Sequence, residues 1–224
     1  MTTNFTLRDF FVYLLTGLTF VISLGLIFYG ELLSATVDFF TKYQFVKDFS
    51  FLVTILIIPT IYLVGHIIGA FSYLLLKLFL FIDKTFKKSS HTLPKWKYRI
   101  LMLFQILFYR QRVVYTIVKF TKSDNQSKPF RDINDFWTIC AKLQIEKIYS
   151  PAEYWYLLNE LFNALNLIFF ISTIISFLTK HWTLAIIYFV LTIFAFKRAR
   201  QYADHFVETI VRLTNARQTT QPVK

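Results

Sequence analysis

The stretch from Phe51 to Ile82 constrains this chain more than any other. Across thirty-two residues the only side chains that can carry charge near neutral pH are His66 and Lys77. As a helix it is roughly 48 Å long, well beyond the ~30 Å hydrocarbon core of a bilayer. It must cross a membrane and continue past it. Within the run, Gly65-His-Ile-Ile-Gly69, followed by Ala70 and Ser72, sets small residues four apart on one face. That spacing lets two membrane helices approach closely, either inside one subunit or between subunits. Gly65, His66 and Gly69 are the candidate packing residues, and a titratable imidazole at this depth needs a partner or water. Pro59 removes a helix hydrogen bond one and a half turns earlier and predicts a kink.

Composition agrees with this reading. Of the 224 residues 55% are hydrophobic and 20% aromatic, which places the chain among integral membrane proteins. The formal charge is +12, of which residues 83–160 hold +7 and residues 197–224 hold +4. Positive charge therefore collects in one internal segment and in the C-terminal region, and both are expected in the cytoplasm. The single cysteine, Cys140, excludes an intramolecular disulfide and reads as a small buried apolar residue.

Three further spans follow from hydrophobic runs. Thr6-Leu-Arg-Asp9 fits a capping box in its Asp variant, so a helix is expected from Leu7 to Tyr29 or Gly30, uncharged from Phe10 onward. A short outer connection, residues 31–50, carries the aromatic belt Phe39, Phe40, Tyr43 and Phe45. In the cytoplasmic section Pro94 opens a helix expected to run through Phe120, and Asp132 can cap a second one over Ile133 to Lys147. Ser150-Pro-Ala-Glu153 is a strong start for a third span, and a tight turn at Lys180-His181 leads to the fourth, Thr183 to Phe196. Beyond Lys197 an apolar stripe (Ala199, Ala203, Phe206, Ile210, Leu213) continues the last helix into the cytoplasm. The expected fold is all-α, an integral membrane four-helix protein with a helical cytosolic section and a long C-terminal helix. Its parts are residues 1–82 (spans one and two), 83–149 (basic cytosolic section), 150–215 (spans three and four with the extension) and 216–224 (disordered tail).

Two polar stripes mark the spans. Thr16, Thr19 and Ser23 recur at i, i+3, i+7 on the first, and Asn159, Asn163 and Asn166 at i, i+4, i+7 on the third. Each serves one of two purposes. The hydroxyls bond back to their own helix and the amides to neighbouring helices, or the stripes line a wet path in an oligomer. The basic section supplies a third candidate. Lys95, Lys97, Arg99, Arg110, Arg112 and Lys119 are interleaved with Trp96, Tyr98, Tyr109 and Tyr115. Cations for phosphates and aromatic faces for bases suit a nucleotide or short single strand, and the same cations suit anionic lipid headgroups. Metal-ligand spacing, nucleophile triads and Gly-rich phosphate loops are absent from the sequence, so no enzyme activity, metal or cofactor is expected. Arg200-Gln-Tyr-Ala-Asp-His205 does match the loose Arg-x4-His signature of HEPN ribonucleases, over six residues only.

The start Asp9-Phe-Phe-Val-Tyr-Leu-Leu-Thr-Gly17 and the motif Tyr62-Leu-Val-Gly-His-Ile-Ile-Gly69 resemble small bacterial four-span membrane proteins of phage-defence systems, the membrane effectors of the Hailong kind and the membrane subunits of the Kiwa kind. Gly65, His66 and Gly69 are the matching positions. The resemblance implies a multi-pass inner-membrane protein with both termini cytoplasmic, assembled as a homo-oligomer, with a tetramer expected. It implies one of two functions: a pore or membrane-perturbing effector controlled by a nucleotide or oligonucleotide, or a non-conducting sensor and scaffold that signals to a cytosolic partner protein.

Overall fold

The computed structural model describes residues 7–29, 50–88, 111–122 and 129–220, with the single positions 31, 34, 38, 42 and 109. Among them all regular structure is helical: α1 (Leu7–Ile27), α2 (Ser50–Lys88), α3 (Val113–Lys122), α4 (Ile133–Ile145), α5 (Ser150–Leu178) and α6 (Trp182–Thr220). Four of these, α1, α2, α5 and α6, are long and apolar enough to cross a membrane, so the chain is a multi-pass membrane protein. Pro59 lies inside α2, which continues through it. The expected helix start at Pro94 and the aromatic belt between spans one and two lie outside the described residues. The tail differs from expectation. α6 stays helical through Thr220, past the boundary placed at Ala216.

The chain divides into two compact units, one of residues 1–74 and 164–195, the other of residues 75–163 and 196–224. In the first the usual polarity of a folded protein is inverted. Among the described residues, all but three of the large hydrophobic side chains that stay exposed belong to it, including Leu15, Ile22, Leu56, Ile67, Phe177 and Ile186. Its buried positions are mostly small or polar: Thr16, Ser23, Ser72, Asn166, Ser172, Ser176, Ala185, Thr192 and Ala195. Apolar side chains facing outward fit a hydrocarbon solvent, and small residues inside let the backbones close up where no hydrophobic effect drives helices together.

The second unit is built as water-soluble domains are. Phe130, Phe136, Ile117, Leu143, Phe206, Val207 and Ile210 form one buried core, with Phe136 edge-on to both Phe130 and Phe206 at 4.9 and 5.8 Å between ring centres. Asp132 caps α4 by accepting from the Asp135 amide at 2.8 Å, and Asp135 accepts from the Arg131 amide at 2.9 Å. α4 ends in a Schellman arrangement: the Ile148 amide donates to the Leu143 carbonyl at 3.1 Å and Lys147 takes φ 59°. The C-terminal half of α6 is held by an ion pair, Arg217 to Glu146 at 2.5 Å.

Candidate functional site

In the first unit, α1 and α2 cross where Gly17 faces Gly65. A Cβ on Gly17 would run into the Ile61 carbonyl and lie 3.0 Å from the Gly65 nitrogen; one on Gly65 would run into the Tyr13 carbonyl and lie 3.0 Å from the Gly17 nitrogen. The two backbones therefore touch, and only glycine fits on either side. Gly69 is less constrained, since its Cβ would stand 3.1 Å from the tip of the Tyr13 ring. The Gly65–Gly69 face thus packs within the chain, against α1.

His66 sits at the same crossing. Its ring stacks on Tyr13 with centres 3.7 Å apart, and its Nε2 lies 2.5 Å from the Tyr62 hydroxyl, while Tyr62 stacks on Phe10 at 5.0 Å. The imidazole thus has a hydrogen-bond partner and an aromatic face in an apolar setting.

Of the first hydroxyl stripe, Thr16 and Thr19 donate to the carbonyls of Val12 and Leu15, both at 2.8 Å, a turn earlier. Thr16 and Ser23 are buried and Thr19 is partly so. The Ser23 carbonyl accepts from the Tyr188 hydroxyl at 3.2 Å, which ties α1 to α6. Thr192 also bonds back, to the Tyr188 carbonyl at 2.8 Å. Ser176 differs. It is wholly buried, and its hydroxyl has no hydrogen-bond partner.

The Asn stripe is split between the units. Asn166 is buried in the first, whereas Asn159 and Asn163 are buried in the second. There Asn159 acts as a three-way clamp. Its Nδ2 donates to the Gln111 carbonyl at 2.9 Å and to the Ala199 carbonyl at 2.6 Å, and its Oδ1 accepts from Asn163 Nδ2 at 2.8 Å. The start of α3 is in this way fixed to α5 and α6. Beside the clamp Arg112 Nη1 lies 3.5 Å from Glu160 Oε2, with side chains 5% and 37% exposed, and Thr116 donates to Asp204 Oδ1 at 3.3 Å. The Gln111 side chain is fully buried, and neither its Oε1 nor its Nε2 has a hydrogen-bond partner.

Of the six cations proposed for ligand binding, Lys95, Lys97, Arg99 and Arg110 lie outside the described residues. Lys119 is exposed near the end of α3. Arg112 is buried against Glu160, so its guanidinium belongs to the interior of the unit and not to an exposed cationic face. His205, from the Arg-x4-His pattern, packs its ring on Trp155 at 5.0 Å. Cys140 is buried, and loss of solvation pushes its thiol up to about 12. The described residues contain no group of His, Cys, Asp and Glu side chains able to hold a metal ion.

Sequence reasoning missed Gly17, Gln111 and Tyr188. Gly17 has no small residue four positions away, with Tyr13 before it and Val21 after it, and nothing local marks Gln111 as buried. Comparison of the chain with known protein families, with curated proteins and with solved structures finds no match.

Proposed function

We propose that this protein is a homo-oligomeric membrane channel or membrane-perturbing effector, multi-pass in a bacterial inner membrane with both termini in the cytoplasm. A polyanion such as a nucleotide or short single-stranded nucleic acid gates it at the basic section. The observation that carries the reading is the inverted polarity of the first unit, where Thr16, Ser23, Ser72, Asn166, Ser172, Ser176 and Thr192 are buried behind an apolar exterior. Polar side chains held at membrane depth face a bundle interior or water, and they mark pathways. The excess positive charge of residues 83–160 and the exposed Lys119 support a polyanionic ligand. A role in anti-phage defence rests on the resemblance of residues 9–17 and 62–69 alone.

A second reading is a non-conducting sensor that docks a cytosolic protein. It is favoured by Thr16, Thr19 and Thr192, whose hydroxyls are satisfied by their own helices without water. Planar-bilayer recording of the purified protein, with and without short DNA or nucleotide oligomers, separates the two. Ligand-dependent current is expected. Silence from protein proven to be inserted and oligomeric overturns the channel reading in favour of the sensor.

A further inference from the structure

We propose that the interior of the first unit is a hydration track, so that water, and protons along it, pass within one subunit and not between subunits; this deepens the conducting reading and rests on it. Phe169 stacks on Tyr188 with ring centres 6.3 Å apart, which sets the register of α5 against α6. The two helices are joined by a tight turn at residues 179–181 and run antiparallel. Asn166 and Thr192 therefore lie at one depth, about a turn from the Phe169–Tyr188 pair, and Ser172 and Ser176 follow on the other side of it. Tyr188 adds α1 to the series through its bond to the Ser23 carbonyl. From Asn166 to Ser176 the polar groups cover roughly 15 Å of helix, about half the hydrocarbon core.

Spacing alone is compatible with dry packing, and Ser176 argues against that. Thr16, Thr19, Thr173 and Thr192 all satisfy their hydroxyls on the carbonyl four residues back. Ser176 could do the same and does not, although it is wholly buried. A buried hydroxyl that forgoes the bond its own helix offers is left with both its donor and its acceptor capacity for a guest that can accept and donate, which water does. The charge pattern selects the species. Residues 10–29, 50–74, 164–179 and 182–195 contain no Asp, Glu, Lys or Arg, so an inorganic ion would find only neutral hydroxyls, amides and carbonyls to replace its hydration. Proton transfer along hydrogen-bonded water and hydroxyls needs no fixed charge.

The exterior points the same way. The outward faces of α1, α2, α5 and α6 in this unit are lined by Leu15, Ile22, Leu63, Ile174, Ile186 and Ile193. A path between subunits built on those faces would be apolar.

The test is radiolytic hydroxyl-radical labelling of the full chain in proteoliposomes, where radicals form from water beside a residue. After correction for intrinsic reactivity, Tyr188 should be oxidised at least tenfold faster than Phe136 and Phe206, which are equally buried in the second unit's core. Equal protection of all three overturns the track. In the same vesicles Ser176→Leu should lower passive proton flux, read by an enclosed pH dye, at least fivefold. Ser176→Ala, which removes only the hydroxyl, guards against misfolding and should lower flux in the same direction. Flux unchanged in both variants also overturns the track. Ligand-evoked current with Tyr188 protected would place conduction elsewhere and end this inference while leaving the channel reading. Labelling and proton flux without ligand-evoked current would keep the track and end the ligand-gated part of the channel reading.

Discussion

Replacing Asn159 by leucine tests the clamp at the centre of the second unit. The side chain is fully buried and makes three hydrogen bonds, to the Gln111 carbonyl, the Ala199 carbonyl and the Asn163 amide. Leucine has similar bulk and makes none of them. Ala199 O lies inside α6 and keeps its helical partner, so two groups lose a bond: the Gln111 carbonyl and Asn163 Nδ2. Each buried polar group left unsatisfied costs about 1–3 kcal/mol, near 4 for the two together. Burial of the added apolar surface returns about 1 kcal/mol. The net is about 3 kcal/mol, which for a chain of this size lowers the melting midpoint by about 6–12 °C. Thermal unfolding in detergent, followed by near-ultraviolet circular dichroism, measures it against Asn134→Leu, an exposed asparagine expected to shift stability by less than about 0.5 kcal/mol. Adding Asn163→Ala to Asn159→Leu should cost less than the two single changes summed, because they share a bond. A fall no larger than that of Asn134→Leu, or full additivity, would refute the clamp.

Three further outcomes follow from the geometry. Gly17→Ala and Gly65→Ala should each destabilise by about 1–3 kcal/mol in the same melting assay, since each Cβ meets a carbonyl of the facing helix, and the double variant should cost less than their sum once the helices have been forced apart. Lys147→Gly should raise stability by about 1 kcal/mol, because a lysine at φ 59° occupies a left-handed position that glycine takes without strain. Cys140 should resist iodoacetamide at pH 8 in the folded protein. Burial raises its folded thiol pKa to about 12, so its contribution to stability is fully present below the ordinary thiol range near ~8.5 and is lost as pH climbs from there through about 12. Alkylation kinetics and melts from pH 7 to 11 check both statements.

Three of the four spans were legible because an uncharged run of eighteen or more mostly apolar residues has few other physical outcomes, and the fourth, uncharged only over residues 181–196, was legible from Trp182 at one end and Lys197-Arg-Ala-Arg200 at the other. The glycine crossing was half legible. A GxxxG spacing draws attention to two glycines on one helix, whereas the tight approach joins Gly65 to Gly17 on another, and no local pattern encodes that pairing. Arg112 was misplaced because a charge count carries no burial. Nothing beside it in the sequence, Gln111 on one side and Val113 on the other, announces burial, and Glu160 lies forty-eight residues on. Asn159 was read as a membrane asparagine with an unnamed neighbour, and its partners lie forty and forty-eight residues away. The extent of α6 could have been read better. The first proline after Lys197 is Pro222, and no glycine precedes it, so nothing in the sequence stops the helix at Ala216.

The contrast between the two interiors bears on what each unit is made to do. An aqueous core is held by the hydrophobic effect, which rewards bulk, and the second unit accordingly buries Phe130, Phe136, Phe206 and Ile210. In lipid that drive is absent between helices, so bulk gains less by facing inward, and beside Ile27, Leu167, Ile168 and Tyr188 the first unit buries mostly glycine, alanine, serine and threonine. Small hydroxyl residues satisfy that packing rule as well as alanine does, so a threonine bonded to its own helix carries no information about function. What packing leaves unexplained is a buried polar group that forgoes an available bond. Among the described residues of the first unit Ser176 is such a group, whereas the buried Gln111 carboxamide of the second has no hydrogen-bond partner at all.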